Sequence, residues 1–101
     1  MRKIEQQMIA AIQNKREFCL NNTSVFYISA QESGNPFGSR SEIYLHGNLI
    51  AEYWHDTKAP LAVNRDTLAR WSTPTTKSRL RALGANVCTR KGVTYLDNVA
   101  I

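Results

Sequence analysis

The stretch Ser41–Trp54, SEIYLHGNLIAEYW, decides the fold class. Two runs rich in apolar residues meet at Gly47-Asn48. Glycine at the first central position of a two-residue loop predicts a type II′ turn, and so an antiparallel hairpin. With that loop, His46 lies opposite Leu49, Leu45 opposite Ile50 and Ile43 opposite Glu52. Opposed residues share a face, and faces alternate along each strand. Ile43, Leu45 and Ile50 are the expected core face, with Glu52 at its rim. Tyr44, His46, Leu49, Ala51 and Tyr53 are expected on the other face, open to solvent or to a partner. A lone hairpin is marginal in water, so its flanks must cover the apolar face.

The flanks supply that cover. Residues 2–16 carry Ile4, Met8 and Ile12 at helical spacing, flanked by Ile9 and Ala11, with Glu5, Gln6, Gln7 and Gln13 off that stripe. Lys15 and Arg16 suit the negative end of such a helix. Val25–Ser29, VFYIS, reads as a strand. Residues 31–40, QESGNPFGSR, read as a loop, with Phe37 as a lone apolar residue that either folds back on the core or forms a binding tip. Pro60–Val63 is a short strand. Asn64–Ser72 supports one turn of helix capped by Asp66 or an edge strand. Thr73–Leu83 is a second helix, with Thr73 at the N-cap, Pro74 at the first turn and Gly84 just past the end. Thr76, Leu80 and Leu83 share one of its faces, Lys77 and Arg81 another. Asn86–Leu96 is a second hairpin turning at Lys91-Gly92. The expectation is one α+β domain over residues 1–101. Its antiparallel sheet is built around the central hairpin, both helices pack on one face, and a hairpin closes the chain.

Charge and composition narrow the function classes without choosing one. The 101 residues carry a net +5, with a pI near 9.6. That balance permits an acidic or nucleic-acid partner. The basic residues are dispersed rather than run together. Cys19 and Cys88 read as two reduced thiols. The N-terminus has charge but no signal-peptide apolar core, and no stretch has membrane-span length. A soluble cytoplasmic protein is expected, without membrane contact.

Catalytic patterns are missing. His46 and His55 fall in no metal-ligand spacing, two distant cysteines make a poor zinc set, and GNPFG lacks the Lys-Ser/Thr end of a phosphate loop. No enzyme, metal or cofactor is expected. The second helix is the better binding candidate. Its start offers N–H groups and hydroxyls at Thr75, Thr76 and Ser78, and Lys77, Arg79 and Arg81 add charge. Arg90 and Lys91 join this set, for nucleic acid or an acidic partner. Tyr44, His46, Tyr53 and Phe37 are candidate partner contacts. Element order resembles the double-stranded-RNA-binding domain. The helix start TPTTKSRL lacks that family's KKxAK pattern, however, and the loop GNPFGSR lacks its GPxH.

Three pieces in order, MRKIEQQMIAAIQ with NNTSV, IYLHGNLIA and TTKSRLRAL, resemble a group of small tailed-bacteriophage proteins of unassigned function. The HGNxIA and TTKSRL pieces are the more specific. The resemblance implies an accessory protein made in the bacterial host cytoplasm and no catalytic residues. It implies a binder of host complexes, such as an anti-CRISPR-like or other host-takeover inhibitor of a protein or ribonucleoprotein. The alternative is direct nucleic-acid binding through helix 73–83. An exposed apolar sheet face would also favour a homodimer.

Overall fold

The structure is a computed structural model and describes residues 2–33 and 38–101, without the side chains of residues 32 and 33. The N-terminal stripe forms helix α1, Lys3–Gln13, which buries Met8, Ala11 and Ile12. Glu5, expected off the stripe, is buried as well. The helix stops short of residue 16. The Asn14 amide donates to Ala10 O at 2.8 Å, and Lys15 turns the chain with φ +53. Lys15 and Arg16 thus lie beyond the last turn.

Five strands follow as an antiparallel meander. They are β1 (Phe18–Leu20), β2 (Thr23–Ile28), β3 (Arg40–Leu45), β4 (Asn48–Trp54) and β5 (Leu61–Val63), side by side in that order. β1 is not legible in the sequence, because three residues show no periodicity. It exists as the partner of β2 across Asn21-Asn22. A single helical turn, α2 (Ala30–Ser33), opens the segment expected as a loop. Phe37 lies outside the described residues.

The central hairpin forms, but its turn lies one residue earlier than expected. His46 and Gly47 have φ +52 and +79, the two positive values of a type I′ turn. Asn48 begins β4 opposite Leu45. Tyr44 pairs with Leu49 and Ile43 with Ala51, so Ile50 is the extra residue of a β-bulge. The bulge restores the expected core face: Ile43, Leu45 and Ile50 are all buried. It also corrects three placements. Ala51 is buried, Tyr53 packs against the core, and Glu52 leaves it to stand opposite Glu42. The physical reason is the carboxylate. A regular hairpin with Gly47-Asn48 as its loop would set Glu52 beside Ile43, where a lone charge is costly.

Helix α3, Arg65–Arg70, resolves the ambiguous stretch, and Asn64 rather than Asp66 caps it by accepting from Thr67 N–H at 3.0 Å. Helix α4, Pro74–Ala82, has the expected punctuation: the Thr73 hydroxyl accepts from Thr76 N–H, and Gly84 has φ +101. The last hairpin, β6 (Val87–Arg90) and β7 (Val93–Leu96), turns at Lys91-Gly92 as expected. The tail adds β8 (Val99–Ala100) across Asp97-Asn98, giving a separate three-stranded sheet. One core joins everything: Met8 and Ile12 of α1, Leu68 of α3 and Leu80 of α4 meet Val25, Ile43 and Ile50 of the first sheet. Val87 and Leu96 of the second sheet complete it.

Candidate interaction surface

Each basic residue of α4 has a hydrogen-bond partner within the protein. Thr76 and Leu80 face the core, and Arg79 shares that side at 3 % exposure. Arg79 Nη1 donates to Glu5 Oε2 at 2.8 Å, and its Nε donates to Thr23 Oγ1 at 3.1 Å. Ser78 Oγ donates to the same Glu5 oxygen at 2.6 Å. Burial alone would push the Glu5 carboxyl up. The bonds from Ser78 and Arg79, the Arg2 N–H and the Arg79 charge outweigh it and hold the pKa below the usual value. Ser78 and Arg79 therefore join Glu5 and Thr23 in a clasp between α4, α1 and β2, and Thr76 is buried against Thr73. The helix N-terminus is also largely satisfied. Pro74 has no N–H, and Thr76 N–H donates to the Thr73 hydroxyl while Lys77 N–H donates to the Thr73 carbonyl. That leaves little for a phosphate beyond the Thr75 N–H.

The remaining cations line the second sheet without converging. Lys77 Nζ donates to Thr89 Oγ1, and Arg81 Nε donates to the Val87 carbonyl at 2.8 Å. Both run along the α4 side of β6. Arg90, one residue on from Thr89, points to the other side. Its guanidinium lies 5.2 Å from the centre of the Tyr95 ring and donates to Asn98 Oδ1. Lys91 sits in the exposed turn.

A different surface is better built. The helices α1, α3 and α4 bring their buried side chains to one face of the five-stranded sheet. The register defines three rows on the opposite face: Ser24, Tyr44 and Leu49; Phe26, Glu42 and Glu52; Ile28, Arg40 and Trp54. Phe26 is 43 % exposed and meets the Tyr44 ring edge-on at 5.6 Å. Arg40 lies 5.2 Å from the Trp54 ring, and its Nε bridges Glu42 and Glu52, each at 3.3 Å. Tyr44 Oη donates to Glu42 at 3.1 Å, and burial together with that carboxylate pushes the phenol pKa up. The result is an aromatic surface pinned around one arginine and two carboxylates.

Of the expected partner contacts, Tyr44 is on this face. Tyr53 is on the core face, moved there by the bulge. His46 is exposed in the turn and rims an apolar cavity of about 330 Å³ floored by Leu45 and Ile50 and walled by Trp71. Sequence reasoning missed Phe26, Arg40 and Trp54. The alternation in VFYIS, with Val25 inward, was a signal for Phe26 facing outward. Arg40 and Trp54 required the bulged register.

A serine and a histidine also meet beside β4. Ser41 Oγ and His55 Nε2 are hydrogen-bonded at 2.8 Å, with Asp56 next in sequence. The Ser41 side chain is fully buried, and the Asp56 carboxylate is used by Ser39, whose N–H donates to it at 3.2 Å. The rings of Tyr27 and Tyr53 pack against His55 at 5.7 and 5.2 Å. Cys19 and Cys88 are free thiols. Among the described residues no group of three His, Cys, Asp or Glu could hold a metal, and no helix is long and apolar enough to cross a membrane.

No curated protein and no solved structure matches the chain. The family model of the Kyanoviridae Gp96 protein, a phage family, matches residues 1–100. A match of that extent covers both sheets and every described helix, and the chain accordingly belongs to the Kyanoviridae Gp96 protein family.

Proposed function

We propose that this phage protein is a non-catalytic binder that docks the open face of its five-stranded sheet on a host protein or ribonucleoprotein complex and inhibits it. The reading places it in the host cytoplasm, in the style of anti-CRISPR and other counter-defence proteins. The observation that carries it is the ordered Phe26–Tyr44–Trp54 surface around Arg40. Aromatic residues and arginine are the side chains enriched at protein interfaces and at their energetic centres. Glu42 and Glu52 in the middle of that face oppose a phosphate backbone and favour a partner with basic groups. Direct nucleic-acid binding through α4 has weaker support, since Arg79 is buried and the other cations are split between two sides of a sheet.

The test is capture from host lysate by tagged protein, with and without nuclease. A host protein recovered in stoichiometric amount by the wild type, retained after nuclease and lost with Phe26→Asp, is the expected result. Capture that depends on nucleic acid, or that survives Phe26→Asp with Trp54→Ala, would reject the reading.

A further inference from the structure

The five-stranded sheet ends at β5, which has a neighbour on one side only. In an antiparallel pair, residues alternate between aiming their backbone groups at the partner and aiming them away. Trp54 N–H donates to the Pro60 carbonyl and Asn64 N–H donates to the Ile50 carbonyl, at 2.8 and 2.9 Å. Pro60, Ala62 and Asn64 thus face β4. Leu61 and Val63 aim two donors and two acceptors outward, and among the described residues no backbone group pairs with them.

Natural edge strands are commonly blunted by lysine, proline or a bulge. β5 is short, but its outer edge carries none of these. Pro60 faces β4, so the donor it lacks is missing from the inner side. The outer edge opens on a cleft of about 500 Å³. Residues 59–63 form one wall, and residues 84–86 with Leu96 form the other. Arg65 and Asp97 add one charge of each sign to its lining.

We propose that this cleft takes an extended peptide segment of a partner protein, which adds to β5 as a sixth strand. Two outward donors and two acceptors at strand spacing are complemented by another extended backbone, and alternate side chains would fill the apolar lining of Leu61, Val63 and Leu96. A segment with one acidic and one basic residue would complement Arg65 and Asp97. At about 3.3 Å per residue, the edge of β5 engages roughly three or four residues of that segment. This site lies at the rim of the sheet and stands independently of the open aromatic face.

The probe is a display library of random short linear peptides, selected against the intact protein, with the strongest binders synthesised and titrated by calorimetry. N-methylation of every second peptide residue is expected to weaken binding about tenfold or more, the effect of losing a strand hydrogen bond, while methylation of the intervening residues leaves it unchanged. Hydrogen exchange should slow at the Leu61 and Val63 amides. Ala59→Trp, an exposed position on the cleft wall, should abolish binding without unfolding the protein. Failure to select any peptide, methylation effects without alternation, or unaltered exchange at Leu61 and Val63 would overturn the proposal. Concentration-dependent dimerisation lost with Ala59→Trp would also overturn it, by making a second copy the occupant.

Discussion

The two hairpins turn on nearly the same geometry and end in different structures. His46-Gly47 has φ +52 and +79, and Lys91-Gly92 has φ +49 and +79. Yet β6 and β7 pair without irregularity from Val87–Leu96 to Arg90–Val93, whereas β3 and β4 carry a bulge two residues from their turn. The C-terminal hairpin has little on its outer side to satisfy. The central one must bury Ile43, Leu45, Ile50 and Ala51 on one side while setting Glu42, Glu52 and Arg40 together on the other. One inserted residue meets both demands. A turn rule therefore dictates where a strand pair begins, and packing dictates its register thereafter.

The largest predicted effect contrasts the arginine that serves each sheet. Arg79→Ala strips the partner from buried Glu5 and should cost about 3–5 kcal/mol. Arg90→Ala, at the exposed second sheet, should cost about 1 kcal/mol or less. Urea midpoints of the two variants check this, and equal losses would break the distinction.

The glycines come next. Nothing lies within 4 Å of a Cβ built on Gly47 or Gly92, so only backbone strain separates each from alanine. Both Gly47→Ala and Gly92→Ala should cost about 1–2 kcal/mol, equal within error by chemical denaturation. A smaller effect sharpens the placement of the first turn. Asparagine favours positive φ, so His46→Asn and Lys91→Asn should each stabilise by about 0.5–1 kcal/mol. A null result for His46→Asn would return the loop to Gly47-Asn48.

The last prediction concerns His55, which follows β4 and packs against Tyr27 and Tyr53 of the first sheet. Burial, and then the Lys15 charge, lower the His55 pKa below the usual 6.5, against an upward pull from Asp56. The unfolded chain then binds the proton more readily than the folded one. Stability from this group is present above pH 6.5 and declines as pH falls below it toward the folded value. Thermal melts at pH 7.5 and 5.5 should show a shift that His55→Gln reduces.

Much of the architecture was legible from residue order. The apolar stripe of α1, the Thr73-Pro74 start and Gly84 end of α4, and the Lys91-Gly92 turn are local devices that act within a few residues. α3 was half legible, because the stretch supported a helical turn capped by Asp66 or an edge strand, and the structure has the helix with Asn64 as its cap. β1 was not legible at all, since three residues become a strand only when β2 offers an edge. The candidate site fared less well. Arg79 reads as a surface charge until its partner is known, and Tyr53 reads as an outward ring until the bulge is counted.

By itself, then, the amino-acid sequence determined the α+β class, the two ends of α4, the core residues Ile43, Leu45 and Ile50, and the Lys91-Gly92 reversal. These depend on backbone torsions and hydrophobic period, which neighbouring residues set. Tertiary structure alone decided the Glu5–Arg79 clasp, the bulge at Ile50, the open face of Phe26, Tyr44 and Trp54, and the unpaired edge of β5. Each follows from desolvation and pairing between groups remote along the chain, and their energies exist only once folding brings those groups together.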